Sequence, residues 1–241
     1  MSNQNAFRLW SCFFIVALIS TIVRGQEAAM LQSVEMAIIQ KTNEFRESHE
    51  LSAVEADKSL TKAAKKFAEF MAQTSKYGHR ADGTSPAARA EAAGYTYCVV
   101  RENIAYRTNS EKETAKSLIE VFVQGWIDSP PHRENMLAEY VTGTGVAVAT
   151  SDNITYYAVQ MFGRPRSAAF ELKLTNQSEE THTVVFRAND QQDEVKLEPR
   201  TIVTMTRCSP TTISLSGSDK SIRVDKRAEF NVTDQGLVAV D

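Results

Sequence analysis

Apolar residues recur at helical spacing through the first half of the chain and at alternate positions through the second, so the period alone divides the sequence. A first helix is predicted over about Met30 to Ser48. A second follows Asp57, with Leu60, Ala63, Ala64, Phe67, Ala68 and Met71 on one stripe. Ser85 followed by Pro86 supplies an N-cap and a first-turn proline for a short helix that Gly94 stops. Ser110 with Glu113 reads as a capping box ahead of Leu118, Val121, Phe122 and Trp126, and Pro130 and Pro131 end that helix near Ser129. The period then changes to two. Val146 and Val148, then Tyr157, Val159 and Met161, flank Ser151, Asp152 and Asn153 as an antiparallel hairpin.

Beyond Arg166 only short alternating runs remain. They are centred on Phe170, Leu172 and Leu174; Val184 and Phe186; Val195 and Leu197; Ile213 and Leu215; Ile222 and Val224; and Phe230 and Val232. Gly163, Arg164 and Pro165 read as a linker. The fold class expected is α+β: a three-layer α/β/α sandwich over residues 30–165 followed by a small all-β domain over 168–241.

Arg8 precedes an apolar run from Cys12 to Val23, and Gly25 precedes a plausible cleavage point before Gln26. This layout predicts a secretory signal peptide over residues 1–25 and an exported product; the run is too short for a membrane span. The chain of 241 residues has 27 Lys and Arg against 30 Asp and Glu, and setting aside Arg8 and Arg24 of the leader leaves 25 against 30. A mildly acidic product argues against nucleic acid and anionic membranes as partners. Without Cys12, only Cys98 and Cys208 remain. They allow one bridge in an oxidising compartment, or two separate buried thiols, and spacing does not choose between them.

Side chains able to do chemistry concentrate in three stretches. His79 lies in Tyr77-Gly78-His79-Arg80-Ala81-Asp82-Gly83, Glu102 in Arg101-Glu102-Asn103-Ile104-Ala105, and His132 in the segment from Trp126 to Leu137. Two imidazoles and a carboxylate hold a divalent cation such as zinc with a position left open, provided the fold converges them. No serine or cysteine sits in a nucleophile motif beside them.

These stretches appear in an order that resembles the CAP superfamily: cysteine-rich secretory proteins, antigen 5 and pathogenesis-related 1 proteins, here in a bacterial-type pattern. Asn43-Glu44-Phe45-Arg46-Glu47-Ser48-His49 is similar to the family's opening helix motif, and Asp57 to Ala68 to its alanine-rich second helix. Glu102-Asn103-Ile104-Ala105 resembles its Glu-Asn signature, Trp126 through Leu137 its proline-histidine segment, and Gly143–Val148 with Tyr157–Phe162 its closing hairpin.

The resemblance implies an extracellular protein with a cleft built from two histidines and two glutamates, binding metal in some members. His79 and Glu102 match the first of each. Ser129 stands at the second glutamate, Tyr157 at the second histidine, and Arg101 at a glycine. His132 and Gln160 complete the expected cleft set of His79, Glu102, His132, Ser129, Tyr157 and Gln160, with His79, Glu102 and His132 as metal ligands. The function expected is capture of an extracellular small molecule, lipid, glycan or protein. A metal-dependent hydrolase and a purely structural module are the alternatives.

Overall fold

The computed structural model describes residues 5–111, 113–188 and 191–240, with side chains from Gly25 onward. The leader expected over 1–25 therefore falls on residues 1–4, outside the described residues, on 5–24, described by backbone alone, and on Gly25. Among the described residues no helix is long and apolar enough to cross a membrane.

Helix α1 (Asn5–Glu47) leads through a short strand β1 (Glu55–Ala56) into α2 (Lys58–Thr74) and α3 (Pro86–Ala92). Strand β2 (Tyr97–Thr108), α4 (Ala115–Asp128) and α5 (Pro130–Met136) follow, then the hairpin of β3 (Gly143–Thr150) and β4 (Thr155–Pro165). Local chemistry sets the boundaries. Asp57 caps α2 by accepting from the Ser59 and Leu60 amides, Ser85 caps α3 ahead of Pro86, and Ser75 closes α2 in the left-handed region. Helix α4 starts later than the Ser110–Glu113 pair predicts: Thr114 is its N-cap, in a capping box with Ser117. Glu113 is buried instead, accepting hydrogen bonds from Arg107 of β2, Asn109 and Ser117.

The sheet order is β1-β3-β4-β2, so the long β2 has one free edge. Alternation along the strands sends residues to two apolar clusters. Val146, Val148, Ala158 and Phe162 pack with Ile38 of α1 and Phe122 and Trp126 of α4. On the opposite face Ile104, Ala147, Val159 and Met161 pack with Leu60, Ala64, Phe67 and Met71 of α2. Helices thus cover both faces of the sheet. Their close approach depends on Gly145, where an added Cβ would lie 2.1 Å from the backbone nitrogen of Thr61.

The expected linker is part of this sheet. Gly163, Arg164 and Pro165 finish β4, and Gly163 lies under the Tyr95 ring, whose buried phenol is pushed up to about 12 by desolvation. A single 3₁₀ turn at Arg166–Ala168 makes the connection.

Eight strands follow: β5 (Phe170–Asn176), β6 (His182–Ala188), β7 (Gln191–Leu197), β8 (Ile202–Arg207), β9 (Thr211–Leu215), β10 (Ser221–Val224), β11 (Ala228–Thr233) and β12 (Gly236–Ala239). The six apolar runs match six of them; β8 and β12 have weaker alternation. They form two sheets, β10-β9-β6-β7 and β12-β11-β5-β8. Leu172, Leu174, Phe230 and Val232 from one pack against Val184, Phe186, Leu197 and Ile213 from the other.

The two parts meet at the start of β2. Cys98 and Cys208 form a disulfide with Cα atoms 5.3 Å apart, which resolves the two options the sequence leaves open. The Arg166 amide donates to the Thr96 carbonyl, and Arg223 pairs with Glu139.

Candidate functional site

The free edge of β2 is the place where the expected site residues gather. Glu102, Ile104 and Tyr106 lie opposite Met161, Val159 and Tyr157 on β4 and share the face covered by α2. An edge strand leaves carbonyls unpaired, and side chains from both helical layers satisfy them. Asn135 donates to the Glu102 carbonyl at 3.1 Å; Tyr77 and Trp126 donate to the Ile104 carbonyl at 3.1 and 3.4 Å.

His79 and Glu102 come together as expected, with Nδ1 2.8 Å from Oε1. An ionised carboxylate only accepts, so the proton between them belongs to Nδ1, and Nε2 has no partner among the described residues. The imidazole is 49% exposed, whereas the Glu102 side chain is 1% exposed. A base is presented to solvent and its orienting acid is hidden beneath it.

What matches the charge of Glu102 is Arg89, which the sequence reading passed over. Its side chain is 7% exposed, and its Nη2 donates to both Glu102 oxygens, at 2.9 and 2.7 Å, and to the His79 carbonyl at 3.0 Å. Nη1 donates to Asp82, the Thr84 carbonyl and the Thr84 hydroxyl, and the guanidinium lies 3.6 Å over the Phe67 ring. One cation therefore folds the His79 loop against β2. Its only sequence signal is an arginine between Ala88 and Ala90 on a very short helix.

This arrangement bears on the metal expected at His79, Glu102 and His132. Both oxygens of Glu102 already face a permanent cation, so a divalent ion there would meet electrostatic repulsion rather than an open ligand. Among the described residues no group of three or more His, Cys, Asp or Glu side chains could hold a metal ion. His79, Glu102 and His132 do not form that set. Arg101, at the family's glycine position, turns away: it donates to Asn135 Oδ1 at 2.9 Å and lies over the Tyr140 ring.

His132 and Ser129 form the second pair. Ser129 caps α5, and its hydroxyl lies 2.9 Å from His132 Nδ1; the His132 carbonyl accepts from Asn103 of β2. Desolvation holds the His132 imidazole below the usual histidine range, and the charge of His79 pushes the same way. The two imidazoles thus flank the β2 edge from opposite layers, near enough for one to act electrostatically on the other.

The last two candidates, Gln160 and Tyr157, are buried. Gln160 is fully buried on the α1 face, donating to Thr42 at 2.9 Å, and stabilises the helix–sheet contact. Tyr157 is buried on the α2 face with its ring centroid 6.0 Å from that of Tyr106. Pairing within a sheet covered on both sides buries both residues. The asparagine of Asn176-Gln177-Ser178, which fits a glycosylation acceptor by sequence, is likewise buried, donating to three carbonyls.

Known proteins share the part of the chain that carries this site. The chain is 26% identical over 125 residues to the uncharacterized protein YkwD of Bacillus subtilis, covering 52% of this chain and 46% of that relative. Less than half of that curated relative is therefore represented. Two solved structures are similar over part of the chain. An outer surface protein of Borrelia burgdorferi is 23% identical with a TM-score of 0.47, over 53% of this chain and 90% of that one. An extracellular protein containing an SCP domain from Bacillus anthracis is 24% identical with a TM-score of 0.46, over 55% and 41%. The model of the cysteine-rich secretory protein family matches residues 39–162, just over half of the sequence and the stretch that carries His79, Glu102 and His132. The chain belongs to the cysteine-rich secretory protein, or CAP, family.

Proposed function

We propose that this protein is exported and captures an extracellular ligand along the β2 edge, where the family's cleft is expected, with His79 and His132 as the polar contacts. The observation carrying this reading is the exposed His79 imidazole held by a carboxylate whose charge Arg89 already matches. The neutral ring offers Nε2 as an acceptor and, once protonated, as a donor, which suits a hydroxyl or carboxyl group.

The same geometry disfavours metal-dependent hydrolysis, because the carboxylate that would bind the ion is paired with Arg89. The β-rich part over 168–241 acts in this reading as a second unit that adds contacts to the captured partner or fastens the cleft-bearing part to it. Its own apolar core is consistent with that role.

A fragment screen by amide-detected NMR tests the proposal. Hits are expected to shift the amides of residues 77–83, 101–106 and 129–135, and His79→Ala is expected to weaken them without loss of fold. Hits confined to other surfaces, or unaffected by His79→Ala, would remove it.

A further inference from the structure

Two large aromatic side chains stand exposed beside His79. Tyr77 is 47% and Tyr106 is 55% exposed, and their rings meet edge to face with centroids 5.0 Å apart. Neither ring is loose. The Tyr77 hydroxyl is tied to the Ile104 carbonyl, and Tyr106 leans on buried Tyr157 beneath it. Tyr157, the residue at the family's second-histidine position, thereby supports an exposed aromatic surface.

Alternation places Glu102, Ile104 and Tyr106 on one face of β2, and the 77–79 segment runs alongside them. His79 and the tyrosine pair thus form one strip about 13 Å long, given a rise of about 3.3 Å per strand residue. The strip lies on the surface; four cavities of about 390 to 580 Å³ are lined by other residues.

Resting on the cleft reading above, we propose that the strip is a saccharide subsite, in which a pyranose stacks its C–H face on Tyr106 and the next ring hydrogen-bonds to His79 Nε2. A sugar has the composition the strip asks for: an apolar face to cover a fixed aromatic ring and hydroxyls to meet an imidazole and phenols. A lipid tail would want an apolar groove, whereas here each exposed ring carries a phenol hydroxyl and an imidazole lies beside them. Rigid support by Tyr157 and the Ile104 carbonyl lowers the ordering cost of binding.

The test is NMR titration of the protein with chitohexaose, cellohexaose and maltohexaose. At least one is expected to shift amides of residues 76–79 and 102–107. Tyr106→Ala should weaken that binding about fivefold, the scale of one lost aromatic contact, while Tyr106→Phe keeps it. Because Tyr106 is more than half exposed, both variants should fold, with unchanged thermal melting as the control. No shift at millimolar sugar overturns the saccharide subsite, as does binding that Tyr106→Ala leaves intact. If fragments still gather at His79 and His132 in that case, the cleft reading survives; if they do not, both fall.

Discussion

The two halves of this chain bury different kinds of surface. In the β-rich part, two sheets cover each other with an apolar core, and the buried polar residues, Asn176, Ser178, Thr211 and Ser214, are all uncharged. In the helix-covered part, Arg46, Arg89, Glu102, Glu113 and Arg164 are all buried. Burying ions is costly unless each is met, so a fold keeps them where geometry has to be fixed rather than where area has to be filled. Here the pairing of Arg89 with Glu102 fixes the loop that carries His79, while the second part buries no ion among its described residues.

The sharpest way to break that contrast is to separate the halves. Closing a loop across 110 residues, the Cys98–Cys208 bridge should contribute about 5 kcal/mol if both halves unfold together. Cys98→Ser with Cys208→Ser is expected to lower stability by that order and to split one denaturant transition into two. A single unshifted transition would mean that the halves are joined by packing instead.

Next in size is Arg89→Met, which strands a buried carboxylate and should cost about 3–5 kcal/mol or force Glu102 to take a proton. A cavity-forming Phe186→Ala in the other half should cost a similar amount, about 3–5 kcal/mol, by a purely apolar route. Only the first should disturb the amides of residues 79–84, which amide NMR on both variants would read.

Asp57→Ala removes the α2 cap and should cost about 1 kcal/mol, measured by urea unfolding. The smallest effect concerns pH. Because folding holds the His132 imidazole below its unfolded range, the unfolded chain binds more protons between the two values. Its share of stability is thus present above the usual histidine range and is lost as pH falls through the folded value. His132→Asn should flatten this slope in unfolding experiments across weakly acidic pH.

Much of the fold was legible wherever one period ruled. The α2 stripe, the Ser85–Pro86 start of α3, the hairpin and six tail strands each obey a single rule of spacing. Strand β2 hid because it obeys two. Glu102 and Asn103 are consecutive and both buried, one meeting Arg89 and the other the His132 carbonyl and Asn135, so the polar–apolar alternation that marks a half-exposed strand is missing.

The site was half legible for a related reason. Motif order pointed to His79, Glu102 and His132, but spacing cannot show that an arginine ten residues after His79 turns back onto its carbonyl. Alternation along β4 does put Gln160 and Tyr157 on opposite faces, but spacing could not show that helices cover both faces and bury them. Tyr77 and Tyr106 drew no reading from the sequence, because only the fold brings their rings together.

The bridge at Cys98 joins the second half to the same strand that holds the carboxylate, four residues upstream of Glu102. A covalent tether at that point ties the position of β2 to the second half of the molecule. The C-terminal half is thus moored to the central sheet at two neighbouring strands, through the chain at the end of β4 and through the bridge at the start of β2.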